Sequence, residues 1–111
     1  MSARIVLITH PARGARAFAR TLVERRMAAC VNLLPIASVY RWRGALEEAR
    51  EVLLIAKTSA ARLSALERHV VAEHPYEVPE CVALDPARVE PRYLAWLRAE
   101  TQPRSASGGT R

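Results

Sequence analysis

The spacing of apolar residues along the chain predicts an alternation of strands and helices. Residues 4–9, RIVLIT, form a continuous apolar run, which is typical of a strand covered on both faces. Over residues 12–27 the apolar positions recur every three or four residues, which predicts an amphipathic helix. A second helical stripe occupies residues 59–73. The chain therefore begins with a strand and a helix and carries another helix in its second half.

A long antiparallel hairpin is predicted between the two helices. Residues 30–43 are rich in β-branched and aromatic side chains, which favours a strand, and residues 46–58 form the returning strand. Gly44 and Ala45 are the predicted turn between these strands. Pro35 has no N–H to donate, so it indicates either a bulge or an edge strand.

A short strand over residues 80–84 and a helix over 91–101 complete the order βαββαβ plus a C-terminal helix. With right-handed crossovers, this order predicts an α+β fold: a four-stranded antiparallel sheet with both main helices on one face. We expect residues 1–101 to form one domain. Residues 102–111 have a linker-like composition, and we expect this tail to be disordered.

This arrangement leaves one face of the predicted sheet without a cover. The runs at 4–9 and 52–56 are apolar on both sides, whereas the helices cover only one side. A hairpin arm of about 14 residues would also span roughly 45 Å, well beyond a domain with a radius of gyration of about 13 Å. We therefore predict a closed homo-oligomer in which the hairpin crosses a subunit boundary.

Composition and charge narrow the classes of partner. The chain has 17 Lys and Arg residues against 11 Asp and Glu, a net charge of +6. Most arginines are scattered among glutamates, which favours a solvated surface over a nucleic-acid patch. No apolar run approaches the ~18 residues of a membrane span, and no export signal is recognised at the N-terminus. We expect a cytoplasmic protein without a membrane or nucleic-acid partner.

Catalytic and disulfide motifs are not found in the sequence. It contains no Walker loop, no GxGxxG and no spacing typical of a Ser/His/Asp or Cys/His centre, so we expect a protein that is not an enzyme. Cys30 and Cys81 are far apart and form no CxxC pair. Each cysteine is expected to be a small buried residue of a strand.

The segment HPYEVPE is the densest cluster of chemically useful residues. Its two prolines hold the backbone, so His74, Tyr76, Glu77 and Glu80 are presented rigidly. This segment is interpreted either as the rim of a ligand or metal site or as a rigid connector between helix and strand. A site assembled between subunits from His74, Glu77, Glu80 and Cys30 would favour copper or zinc.

Aromatic and basic residues near the hairpin tip form a second candidate. Tyr40 and Trp42 alternate with Arg41 and Arg43, which is typical of a platform that stacks ligands and binds anions. The favoured alternative is that Tyr40 and Trp42 pack at a subunit contact. Lys57, at the end of an apolar strand, is either an anion-binding residue of a cleft or a strand-end lysine with its charge in water.

Several stretches together resemble the CutA family of divalent-cation tolerance proteins. The stretches are ACVN at 29–32, SVYRWRG at 38–44, LLIAKT at 53–58, HPYEVPE at 74–80 and YLAWL at 93–97. The resemblance implies a ferredoxin-like fold related to the PII signalling proteins, assembly as a homotrimer, and a role in metal tolerance with copper binding in some members.

The resemblance also suggests individual site residues. His74 matches the histidine of the family's HPYxxPE segment, and Cys30 matches the cysteine of its ACVN segment. Where some members have a further cysteine and histidine, this chain has Ile8 and Glu73. The expected function is a cytosolic, trimeric tolerance protein that binds copper or zinc at intersubunit clefts. The alternative is a PII-like sensor of a small anionic metabolite.

Overall fold

The elements occur in the predicted order. The computed structural model describes residues 2–103. In chain order the elements are β1 (Ala3–Pro11), α1 (Ala15–Glu24), β2 (Cys30–Trp42), β3 (Ala45–Ser59), α2 (Leu63–Glu73), β4 (Val82–Leu84) and α3 (Pro91–Glu100). A 3-10 turn, Ala60–Arg62, leads into α2. Of the tail for which disorder is predicted, residues 104–111 lie outside the described residues.

The four strands form one antiparallel sheet in the order β2-β3-β1-β4. The two long strands β2 and β3 pair from Cys30↔Lys57 to Trp42↔Ala45. The predicted α+β fold with its βαββαβ order is confirmed. Pro35 lies on β2, which is an edge strand, and the register continues through it without a bulge. Of the two roles predicted for Pro35, the structure shows the edge.

The main core lies between the sheet and helices α1 and α2. Because strand side chains alternate between faces, every second residue of the central strands points to these helices. Members of this core that are fully shielded from solvent are Val6 and Ile8 of β1, Leu54 and Ala56 of β3, Leu22 of α1, and Leu66 and Val70 of α2. Burial of these side chains fixes the register of β1 and β3.

The opposite face of the sheet is covered at one end by α3. Leu97 of α3 is buried against Ala3 and Ala29 in a second, smaller core. The Thr101 hydroxyl, next to α3, also donates to the Ser59 hydroxyl at 3.1 Å. The expectation that the chain itself covers no part of this face is therefore wrong at this end. The predicted C-terminal helix performs this covering.

The rest of this face carries apolar side chains on which no other part of residues 2–103 packs. Ile5, Leu7, Leu53 and Ile55 are only half-buried. Edge residues of the sheet that are exposed include Leu34, Val82 and Leu84. At about 25 cal/mol per Å², such a surface favours association with another apolar surface.

The hairpin extends well past the helices. The described part of the molecule measures 54 × 31 × 20 Å, and most of residues 37–50 are exposed. The turn consists of Arg43 and Gly44, which have φ angles of 50° and 82°. Two consecutive positive φ angles match the twist of a two-residue hairpin turn. The turn predicted at Gly44 and Ala45 is therefore placed one residue too late.

Candidate functional site

A cleft of about 630 Å³ lies between the hairpin and the segment that connects α2 to β4. Thr9, whose neighbours on β1 face the helices, contributes to this cleft from the open face of the sheet. The cleft is lined by aromatic residues Tyr40, Trp42 and Tyr76 and by acidic residues Glu51, Glu77 and Glu80. Five of the site residues predicted from sequence, Tyr40, Trp42, Tyr76, Glu77 and Glu80, are thus brought together.

His74 holds the connecting segment against the sheet. It follows the last residue of α2, and its buried side chain donates from Nε2 to the Thr9 carbonyl oxygen at 2.8 Å. Its Nδ1 accepts a hydrogen bond from the Tyr76 backbone N–H at 3.0 Å. Both partners require the neutral ring with its proton on Nε2. Within one chain the imidazole has no free nitrogen for a metal, so the ligand role expected for His74 does not fit this arrangement.

His74 belongs to an aromatic cluster on the helix side of the sheet. The centre of the His10 ring lies 4.8 Å from that of His74 and 5.0 Å from that of Phe18. The ring centres of His69 and Phe18 are 5.5 Å apart. The first strand was predicted over residues 4–9, whereas β1 continues to Pro11 and includes the buried His10. Among residues 2–103, no group of three His, Cys, Asp or Glu side chains is arranged to hold a metal ion.

Glu51 is the central residue of the cleft that sequence reasoning missed. It is 6% exposed, and one carboxylate oxygen accepts a hydrogen bond from the Tyr76 hydroxyl at 2.6 Å. Burial, and then this carboxylate, raise the pKa of Tyr76, so the phenol stays protonated as a donor. The available signal was an acid directly before the apolar run 52–56, at the point where the hairpin enters the sheet.

Two further acidic residues, Glu77 and Glu80, line the cleft together with Glu51. Desolvation and the neighbouring Glu51 carboxylate raise the pKa of Glu80 above its ordinary value. Both causes disfavour the charged carboxylate, desolvation more than repulsion by Glu51, and a bound cation would favour it. Glu77, at the rim, pairs with the Arg43 guanidinium at 2.6 Å. The cleft as a whole is suited to a positively charged ligand.

The remaining predicted residues do not reach this cleft within one chain. Cys30 and Lys57 face each other across β2 and β3, and both contact the Asn32 side-chain oxygen. Thr9, which lines the cleft, pairs with Leu53 on β3. Lys57 is four residues further along β3, so its backbone lies about 13 Å from that of Leu53. Arg41 points to the opposite face of the hairpin from its neighbours. Of the three residues that motivate the anion hypothesis, only Arg43 lies at the cleft within one chain, and an anion site between subunits stays a prediction.

Acidification is expected to destabilise the protein between pH 7.5 and pH 5.5. Burial lowers the pKa of His74, and burial together with Arg25 lowers the pKa of His69. The unfolded chain therefore binds protons first, and stability falls as the pH drops below about 6.5 towards the folded pKa values. Urea unfolding at pH 7.5, 6.5 and 5.5 should show a falling midpoint.

The variant Glu80→Gln provides a comparison for this pH series. Glu80 acts in the opposite direction, because its raised pKa favours the folded state as the pH falls. Glu80→Gln should therefore steepen the loss of stability on acidification. A midpoint that stays constant in both proteins would contradict the roles given to the histidines.

The fold defines the class of the protein. Its four-stranded antiparallel sheet with helices is the ferredoxin-like fold of CutA and PII-like proteins. The solved PII-like protein CutA from Nostoc sp. PCC 7120 superimposes with a TM-score of 0.87 at 33% identity over 90% of this chain and 98% of that one. The Cut A1 structure from Thermus thermophilus gives 0.85 at 47% identity, covering 90% and 99%.

Sequence comparison identifies the family. The family described as CutA1 divalent ion tolerance protein matches residues 4–100. The chain belongs to this family. The divalent-cation tolerance protein CutA of Thermus thermophilus is 48% identical over 99 residues, covering 87% of this chain and 96% of the relative. Protein CutA of Mus musculus is 46% identical over 95 residues, and the match spans 54% of that longer protein.

Proposed function

We propose that the protein is a cytoplasmic, homotrimeric divalent-cation tolerance protein that binds a metal ion in the cleft, at a boundary between subunits. The observation that carries this proposal is the pair of acids Glu51 and Glu80, which line the cleft together with Glu77. Because these acids are not arranged as a three-ligand group within residues 2–103, a group from the neighbouring subunit would have to complete the site. The names of the relatives, which refer to divalent-cation tolerance, support the same ligand class. None of the helices in residues 2–103 has the length and apolar character of a membrane span.

Copper(II) or zinc is the proposed ion. Carboxylate oxygens are the donors within one chain, because both ring nitrogens of His74 are engaged. For a given set of ligands, affinity among first-row divalent ions rises to a maximum at copper. Copper(I) would require soft ligands, and Cys30 lies at the other end of the sheet. A sensor of a small anionic metabolite is the weaker hypothesis, since the cleft has three carboxyl groups and one guanidinium.

The homotrimer is proposed from two exposed surfaces. The open face of the sheet carries half-buried apolar residues, and the distal hairpin exposes Val39 and Leu46 on the face opposite to Tyr40 and Trp42. Each chain of a trimer has two neighbours, which would cover one of these surfaces each and would border the cleft. The subunit number of three is taken from the family resemblance found in the sequence.

Calorimetric titration with copper(II), and separately with zinc, tests the metal proposal. We expect saturable binding to the wild-type protein and at least a tenfold weaker affinity in Glu80→Gln, which removes one charge of the carboxyl pair. The matched control is Glu67→Gln on the solvent side of α2, which should bind as the wild type does. Absence of saturable binding, or equal weakening in both variants, would refute a metal site in the cleft.

A further inference from the structure

Besides the carboxyl groups that a metal ion would use, the cleft is lined by three aromatic side chains. Tyr40 and Trp42 are two residues apart on β2, so their rings lie on the same face of the hairpin. Together with Tyr76 they line the cleft beside the carboxyl groups. Aromatic faces are not ligands for copper or zinc, but they attract organic cations through the ring quadrupole.

The protein already places an organic cation of its own in this environment. The Arg43 guanidinium carbon lies 5.2 Å from the centre of the Trp42 ring, and one guanidinium nitrogen is 2.6 Å from the Glu77 carboxylate. The charge is thus held between an aromatic face and an acid at the rim of the cleft. This contact shows a guanidinium between an aromatic ring and a carboxylate, the arrangement that a bound organic cation would use.

Deeper in the cleft, aromatic rings and acidic side chains occur together a second time. No cationic side chain of residues 2–103 is paired with these acids. One oxygen of the buried Glu51 carboxylate accepts from Tyr76. Its other oxygen accepts no hydrogen bond from the part of the chain that the structure describes. Glu80 adds a second acid to the cleft, and Tyr40 and Tyr76 line the same cleft.

Size favours a molecule over a bare ion. A volume of about 630 Å³ falls within the ~300–1,000 Å³ typical of small-molecule sites. We propose that the cleft binds a small organic ammonium ion, whose alkyl groups pack on Tyr40 and Tyr76 and whose charge is paired with Glu51 and Glu80. The inference uses the same cleft as the proposed metal function but does not rest on metal binding.

A titration followed by NMR tests this inference on the full-length protein in its native assembly. The probe is tetramethylammonium chloride, compared with tert-butanol, a neutral molecule of similar shape, and with sodium chloride at equal ionic strength. We expect saturable shifts of the Trp42 indole signal with tetramethylammonium alone, with a dissociation constant of about 1 mM. Equal shifts with tert-butanol or sodium chloride, or no saturable shift, would overturn the inference.

Two pairs of variants separate the aromatic and acidic contributions. Tyr40→Leu should weaken tetramethylammonium binding at least fivefold, whereas Tyr93→Leu, which changes a tyrosine of similar exposure on α3, should not. Glu80→Gln should also weaken it, and Glu67→Gln should not. Copper titration of the wild-type protein separates the two proposals: saturable ammonium binding without saturable copper binding would support this inference and refute the metal proposal. Wild-type ammonium affinity in Tyr40→Leu would overturn the inference.

Discussion

In size-exclusion chromatography with light scattering at micromolar concentration, the protein is expected to have a mass of about 37 kDa, three times its chain mass of 12.3 kDa. Leu46→Glu is expected to shift this mass towards 12.3 kDa. Leu46 is 66% exposed on the distal hairpin. Burial of such a leucine contributes about 1.5–3 kcal/mol per copy, and a buried glutamate without a partner would oppose the contact strongly.

The control for this shift is Val71→Glu. Val71 is 74% exposed on the solvent side of α2, away from the hairpin and the open face of the sheet. This variant should keep the wild-type mass, because the proposed assembly does not use that surface. A wild-type protein that elutes as a 12.3 kDa species would refute the homotrimer. A Leu46→Glu variant that remains at three times the chain mass would instead show that the distal hairpin is not part of the subunit contact.

His74→Ala is expected to reduce the free energy of unfolding by about 3 kcal/mol. The substitution removes two hydrogen bonds worth about 1 kcal/mol each and leaves the Thr9 carbonyl oxygen without its partner. It also opens a space among the rings of His10, Phe18 and Tyr76. Urea unfolding at a single protein concentration measures the loss, since the stability of an oligomer depends on concentration.

His69→Ala provides the comparison. His69 is half-buried and contacts the same cluster through Phe18, so its loss should cost about 1 kcal/mol or less. His74→Ala protein that remains folded should still bind copper, since the carboxyl groups of the cleft are intact. Wild-type stability combined with loss of copper binding in His74→Ala would show that the imidazole is a ligand after all.

The order of elements was predictable because each element has a clear hydrophobic period. The first and last residues of the elements were less predictable, because they depend on the backbone conformation of single residues. The helix predicted over 12–27 begins only at Ala15, since Gly14 has a φ of 86°, and it ends before Arg26, which has a φ of 59°. Two arginines, Arg26 and Arg43, adopt left-handed conformations that residue preferences assign to glycine or asparagine.

The site was predictable where its residues are close in sequence. The prolines of HPYEVPE indicated a rigid segment, and Tyr76, Glu77 and Glu80 do line the cleft. Glu51 was missed because its importance depends on the register of β3 with β1 and on a tyrosine 25 residues away. The engagement of both nitrogens of His74 was likewise not deducible, since one partner is the backbone of a strand 65 residues distant.

The shortness of β4 has a consequence for the behaviour of the protein at high concentration. β4 pairs only with residues 5–7 of β1, so the carbonyl oxygen of Thr9 would otherwise be available to a strand from another molecule. The imidazole of His74 occupies it instead. At the opposite margin of the sheet, Pro35 interrupts the row of donors on β2. Each margin thus has one interruption to the addition of a further strand, and both oppose aggregation by edge-to-edge pairing at those positions.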